Sequence, residues 1–229
     1  MLGRSASPDS GYMFYLYGCS AVFSVVAIFF LFIRPPSWLK IMRVRRFCTQ
    51  GVLILKKEVV YHYHTLQTMT YTKSILVRTF RNGIDRYTDR FVWTGQGTVK
   101  YYATSAGDAT QNERKRHIWT YYDVLLGTFL NKGEKRDICV KWELDDQKAQ
   151  AQPFCSIDVF EPILETAIIR VAFDPPLVPA RVWTTDSLFQ GAPVPLDTHG
   201  LPLAHDHSYL YTIHEPRPGH CYAINWSWA

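Results

Sequence analysis

The chain has 229 residues, of which 47% are hydrophobic and 20% are charged. This balance excludes extensive disorder and allows one domain of ordinary size with an appendage. Aromatic residues make up 15% of the chain, which favours β-structure, and the net charge of +5 gains meaning only from where the basic residues lie.

An apolar run from Tyr12 to Ile33 contains no charged residue. As a helix it would span roughly 33 Å, enough to cross the hydrocarbon core of a bilayer. It is followed by Arg34-Pro35-Pro36, without the small-residue cleavage site of a signal peptide. We therefore predict a retained transmembrane helix over residues 12–33, after a non-cytoplasmic tail of residues 1–11. The residues expected at the membrane interface are Tyr12, Tyr15, Tyr17, Arg34, Trp38, Lys40, Arg43, Arg45 and Arg46.

The excess basic charge lies in residues 34–57, which contain no acidic residue. The positive-inside rule then predicts a single-pass membrane protein whose C-terminal part is cytoplasmic. We divide that part into a basic connector, residues 34–50, and a domain, residues 51–229. The domain is slightly acidic, so no nucleic-acid partner is expected. The cysteine count is odd, at five, and one cysteine lies in the apolar run, which fits reduced cytoplasmic thiols.

Beyond residue 50 the apolar residues recur with a period near two, and turn-forming residues interrupt them. The pattern predicts an all-β domain, an antiparallel β-sandwich with a β-barrel as the alternative. The proline-rich residues 174–207 are predicted to be a long connection over one sheet face. The predicted strands are Gly51–Tyr61, Thr70–Phe80, Arg90–Trp93, Thr98–Ala103, Ile118–Leu126, Asp137–Leu144, Phe154–Phe160, Thr166–Phe173, Ser208–His214 and His220–Trp228.

The segment from Tyr122 to Leu144 resembles a hairpin common in immunoglobulin-like sandwiches. An apolar strand ends, a Gly-Glu turn follows at Gly133-Glu134, and a strand with alternating apolar residues returns. The resemblance implies an immunoglobulin-like sandwich and carries no function.

No phosphate-binding loop, Rossmann glycine pattern or HExxH motif is present in the sequence, so we expect neither an enzyme nor a cofactor. His205-Asp206-His207 and His62-Tyr63-His64 would each place two imidazoles on one face of a strand, a usable arrangement for a metal. Histidines at strand ends are more often ordinary surface residues, and no metal site is predicted. A metal-dependent hydrolase remains an alternative, and it would use the C-terminal histidines His199, His205, His207, His214 and His220.

A charged segment repeats Asp-Arg at a spacing of four. We expect it in a long turn after Asn82-Gly83, where it could supply alternating charges to a ligand, the alternative being solvent-facing ion pairs. The predicted ligand-binding residues are Asp85, Arg86, Asp89 and Arg90.

The joining of a short transmembrane segment to a soluble domain resembles the small membrane effectors of bacterial antiviral signalling systems. The resemblance implies ligand-driven homo-oligomerisation and loss of membrane integrity, with a cyclic nucleotide as one trigger. Effectors with β-barrel sensors generally have two transmembrane helices, whereas this chain has one. The expected partners are the lipid membrane, further copies of the chain, and a small-molecule or protein ligand. A tether that recruits a protein partner to the membrane is the alternative.

Overall fold

The computed structural model describes residues 41, 44–149, 151–188, 196–204 and 207–228. The predicted transmembrane segment and the interface residues up to Arg43 lie outside these ranges. Within them, no helix combines the length and apolar character needed to cross a membrane. Residues 45–229 form one compact unit, in which Arg45 and Arg46 are exposed.

Strands dominate the secondary structure of the described part of this unit, which confirms the predicted all-β class. The strands found in the described residues are, in chain order, β1 (Val52–Tyr63), β2 (Thr68–Thr79), β3 (Ile84–Phe91), β4 (Gly97–Ala103), β5 (Ala109–Arg116), β6 (Trp119–Leu130), β7 (Lys135–Asp146), β8 (Phe154–Asp158), β9 (Ile163–Phe173), β10 (Arg181–Leu188), β11 (Asp197–Gly200), β12 (Ser208–His214) and β13 (His220–Ser227).

The largest sheet has six strands in the order β12-β9-β1-β2-β7-β4. Alternating apolar residues build its inner face; in β7, for example, Ile138, Val140, Trp142 and Leu144 are all buried, as their spacing predicts. The pairing of β1 with β9 is parallel, so the sheet is mixed and the prediction of purely antiparallel pairing is wrong here. The two strands are distant in sequence, so a tight hairpin turn does not set their direction.

Two smaller sheets, β3-β6-β5 and β11-β10-β13-β8, form the rest of the fold. Tyr122 of β6 packs on Trp142 of β7 with ring centres 5.4 Å apart, and Trp226 of β13 packs on Tyr63 of β1 at 5.5 Å. Both smaller sheets therefore cover the inner face of the six-stranded sheet. The result is a sandwich-like arrangement whose second layer is divided into two sheets.

Three strands have no counterpart in the sequence prediction. Strand β5 consists mainly of exposed polar residues and pairs with β6, so it shows no apolar alternation. Strands β10 and β11 lie inside residues 174–207, so the predicted long connection is wrong. In β10 the inward positions include Thr184, which is buried. Because this inward residue is polar, the strand lacks a clear alternation of apolar and polar residues.

The predicted hairpin between Tyr122 and Leu144 is also wrong. Strand β6 pairs with β3 and β5, whereas β7 pairs with β2 and β4. The turn between them carries the chain from one sheet to another. It is closed by the backbone N–H of Asn131, which donates to the Glu134 carboxylate at 2.7 Å. Alternation locates strands, but it does not determine their partners.

Candidate ligand-binding cavity

A cavity of about 500 Å³ lies between the six-stranded sheet and the two smaller sheets. Residues of β1 and β2 line one side, and residues of β3 and β8 line the other. Strands β3 and β8 each end the order of their own sheet. Among the described strands, the second layer is therefore interrupted between the edges of β3 and β8, and the cavity lies at this interruption. A cavity of this size accommodates a small organic ligand.

Aromatic and charged side chains give the cavity its chemical character. Aromatic faces provide stacking surfaces, and charges in a partly dehydrated cleft interact more strongly than in water. The aromatic lining residues are Tyr61, Tyr71, Tyr87, Phe91, Trp93, Trp119, Tyr121, Phe154 and Phe160. The charged ones are Lys57, Lys73, Asp89, Arg90, Asp158 and Glu161.

Lys73 lies on the inner face of β2 because the strand alternates strictly between its two faces. The residue is 5% exposed, and its Nζ lies 2.9 Å from Oδ2 of Asp89 in β3. Nζ also donates to the carbonyl oxygen of Arg90 at 2.7 Å. The Tyr122 hydroxyl donates to the same carboxylate oxygen of Asp89 at 2.9 Å. The ion pair therefore connects the two layers beside the cavity.

The pKa values of both partners follow from burial and from their mutual attraction. Burial lowers the pKa of Lys73 to about 8, although Asp89 opposes this shift. Burial acts to raise the pKa of Asp89, but the positive charges of Lys73 and Lys57 outweigh it and lower that pKa to about 2. Both groups are thus charged at neutral pH. An ammonium group held by a carboxylate and a carbonyl is a structural charge rather than a free amine nucleophile.

Arg90 presents its guanidinium between two rings of the cavity wall. Its Cζ lies 4.2 Å from the ring centre of Trp119 and 3.0 Å from that of Phe160. Cation–π stacking on both sides restricts the guanidinium to this position. Phe160 follows β8 and Trp119 begins β6, so Arg90 connects the edges of the two smaller sheets.

Polar side chains organise the edge of β3. The Gln50 amide donates from Nε2 to the Thr88 carbonyl at 2.8 Å and accepts from the Thr88 N–H at 2.6 Å. It thereby satisfies the backbone of an edge strand that would otherwise be open. Nearby, Thr49 donates to Glu161 at 3.1 Å, and burial raises the pKa of the Glu161 carboxyl.

Trp93 adds a buried hydrogen-bond donor to the cavity wall. Its Nε1 has no acceptor among the described residues. The indole packs tightly against Gly95, where an added Cβ would lie 2.5 Å from Cζ2 of Trp93. Gly95 therefore helps to determine the position of this wall.

The four predicted ligand-binding residues divide into two pairs. Asp89 and Arg90 line the cavity, whereas Asp85 and Arg86 do not line it and pair with each other at 3.2 Å on the exposed surface. The segment belongs to β3 and not to the predicted turn, because Tyr87 and Phe91 are buried and the strand pairs with β6.

Sequence reasoning missed Lys73, Trp93, Trp119 and Glu161. For Lys73 a signal existed, since it occupies an inward position of an alternating strand.

The other candidate groups do not support a reaction centre at the cavity. Cys155 lines the cavity, but it is 4% exposed and burial raises its pKa, which keeps the thiol protonated.

Among the described residues, His199, His207, His214 and His220 do not gather into a metal-binding group. His220 instead lies 2.7 Å from Oδ1 of Asp186, and His205 lies outside the described residues.

No protein-family model and no curated protein matches the chain. Among solved structures, it is similar to M1 zinc metallopeptidase from Deinococcus radiodurans, with 10% identity, a TM-score of 0.42, and coverage of 77% of this chain and 43% of that chain. A mutant of the Deinococcus radiodurans enzyme bound to a Tyr-Ser-Ala substrate gives 11% identity, a TM-score of 0.41, and coverage of 76% and 42%. The chain spans less than half the length of these structures, and a likeness this weak carries no functional argument.

Proposed function

We propose that the chain is a membrane-anchored binding module whose cavity takes a small aromatic ligand with acidic and amino groups, of the nucleotide class. The observation that carries the proposal is the combination of aromatic walls and charges of both signs in a cavity of about 500 Å³. This mixture suits a ligand that needs both stacking and charged hydrogen bonds.

Each group of lining residues has a role in the proposed complex. Lys73 and Asp89 pair with each other. Lys57 and Arg90 also line the cavity, and their positive charges can bind an acidic group such as a phosphate. Asp158 and Glu161 can accept hydrogen bonds from amino groups of a base. The aromatic rings stack on the base, a contact worth about 1–3 kcal/mol per base in proteins that bind single-stranded nucleic acids.

The membrane part of the proposal depends on the sequence. The uncharged run from Tyr12 to Ile33 would anchor the chain, and the basic residues that follow it would keep the β-domain at the cytoplasmic surface. A lone apolar helix cannot enclose a pore, so any action on the bilayer requires self-association of several copies. We propose that the ligand promotes this association, as the resemblance to antiviral membrane effectors implies.

The ligand proposal is tested by thermal unfolding of the full chain in detergent with adenosine and guanosine monophosphates and their cyclic forms. One member should raise the melting temperature, by about 5–10 °C at a hundredfold excess over its Kd. Arg90→Met should abolish this rise, whereas Arg86→Met, a change on the same strand outside the cavity, should preserve it. The proposal is wrong if no member shifts the melting temperature, or if both variants respond alike.

Anchoring and assembly need separate measurements. A reporter fused after Ala229 should be active only in the cytoplasm, and a reporter active on the other side would contradict the predicted topology. Cross-linking in native membranes should yield oligomers of the full chain. A chain that stays monomeric in the presence of its ligand would instead favour a simple tether.

A further inference from the structure

His62 and His64 form, together with Asp174, a cluster on the outer face of the six-stranded sheet. Nε2 of His62 lies 2.7 Å from Oδ1 of Asp174, and Nδ1 of His64 lies 2.8 Å from Oδ2 of the same carboxylate. One ligand atom from each residue falls within 4.8 Å of the other two. This cluster is separate from the cavity, because the neighbouring residues Tyr61 and Tyr63 point to the opposite, buried face of β1.

The central strands of the sheet hold this cluster in place. His62 pairs with Thr70 of β2 on one side and with Ala172 of β9 on the other. Asp174 directly follows β9, and its backbone N–H donates to the Tyr63 carbonyl at 2.8 Å. Because β1 and β9 pair in parallel, both strands finish at the same end of the sheet. The Asp174 carboxylate therefore lies next to the two imidazoles there.

The residue types select one class of cation. Two imidazole nitrogens and one carboxylate oxygen suit Zn²⁺ and similar first-row ions, whereas Mg²⁺ and Ca²⁺ prefer oxygen ligands alone. Nε2 of His64 lies 3.0 Å from the Thr70 hydroxyl. Such an outer contact holds the ring so that Nδ1 is directed to the ion, as supporting residues do in metal sites.

We infer that His62, His64 and Asp174 form a binding site for a first-row divalent metal ion of the zinc class. Three protein ligands leave one position of a tetrahedral ion for water or another ligand. Side-chain exposures of 38%, 42% and 44% for the three residues give the ion a path to the site from solvent. Binding here would join the ends of β1 and β9, because His62 belongs to β1 and Asp174 directly follows β9.

Isothermal titration calorimetry of the chelator-treated full chain in detergent, with ZnCl₂ as the probe, tests this inference. The wild-type chain should bind one Zn²⁺, and MgCl₂ at the same concentration should give no binding. Asp174→Asn should weaken the affinity more than about tenfold, and the His62→Gln/His64→Gln double variant should remove this site. His214→Gln is the matched control, since it changes an exposed strand histidine outside the cluster.

Circular dichroism of each variant checks that the β-domain stays folded. We expect it to do so because the substituted side chains are half-exposed. The inference is overturned if the wild-type chain binds no Zn²⁺. It is also overturned if the folded double variant binds Zn²⁺ as tightly as the His214→Gln control. In either case the cluster is a surface carboxylate that accepts hydrogen bonds from two histidines.

Discussion

Lys73 Nζ in β2 lies 2.9 Å from Oδ2 of Asp89 in β3, and this contact joins the two layers of the fold beside the cavity. The side chains are 6% and 9% exposed, so both charges have lost most of their water. Such a pair tolerates the loss of both partners far better than the loss of one, because a single buried charge stays uncompensated.

This asymmetry predicts the outcome of a double-mutant cycle. Lys73→Met should lower the free energy of unfolding by about 3–5 kcal/mol, because it leaves Asp89 buried without its counter-charge. The double variant Lys73→Met/Asp89→Leu should recover most of that loss. Urea denaturation of the wild type, Lys73→Met, Asp89→Leu and the double variant gives the four values that the cycle needs. A double variant less stable than Lys73→Met would show that the two residues do not act as a pair.

The same pair predicts a loss of stability in acid. The pKa of Asp89 is about 2 in the folded chain against an ordinary 3.8, so its contribution is complete above pH 3.8 and disappears as the pH falls through 2. The contribution is about 2 kcal/mol. Between pH 5 and pH 2, the unfolding free energy of the wild type should fall by about this amount more than that of the Lys73→Met/Asp89→Leu variant. A constant difference across the range would contradict the lowered pKa.

The thiols should differ in reactivity within the folded chain. Cys155 is buried and its pKa is raised by burial, so iodoacetamide at pH 8 should leave it unmodified. Cys139 of β7 is less buried and is the internal control. Peptide mass spectrometry separates the two sites. Rapid alkylation of Cys155 before Cys139 would contradict the burial of this thiol and would mean that the cavity wall opens.

Gly95 should be intolerant of even one added methyl group. A Cβ there would lie 2.5 Å from Trp93 and 2.9 Å from Cγ of Asp146, so Gly95→Ala must displace the indole of the cavity wall. We expect a loss of about 1–3 kcal/mol in stability. Gly200→Ala is the matched control, because no atom lies within 4 Å of its added Cβ. Equal stability of the two variants in urea denaturation would contradict the tight packing of Trp93.

The sequence predicts the all-β class and most long strands because their inward residues are apolar and alternate. Strand β7 is the clearest case, with Trp142 in the middle of its buried row. Strand β5 is not predicted because its residues Arg114, Lys115 and Arg116 are consecutive charged residues on an exposed edge strand, without apolar alternation. Its pairing with β6 depends on backbone hydrogen bonds, which leave no apolar signature.

The candidate cavity is harder to predict than the strands because it depends on which strands meet. Asp89 and Arg90 could be selected from local sequence as charged candidates, but the repeat also selected Asp85 and Arg86, which pair at the surface. Lys73 and Asp89 are separated along the chain and meet only when β3 packs over β2. The period of two places each residue on a face, whereas the contact between faces comes from sheet packing.

Native mass spectrometry of the full chain with the four nucleotides tests the proposed ligand site most directly. The wild-type chain should retain one nucleotide per copy, and Arg90→Met, which removes a charge from the cavity wall, should abolish this binding while circular dichroism confirms the fold. A wild-type chain that binds none of the nucleotides, or a folded Arg90→Met variant that binds one as tightly as the wild type, would contradict the cavity as the ligand site.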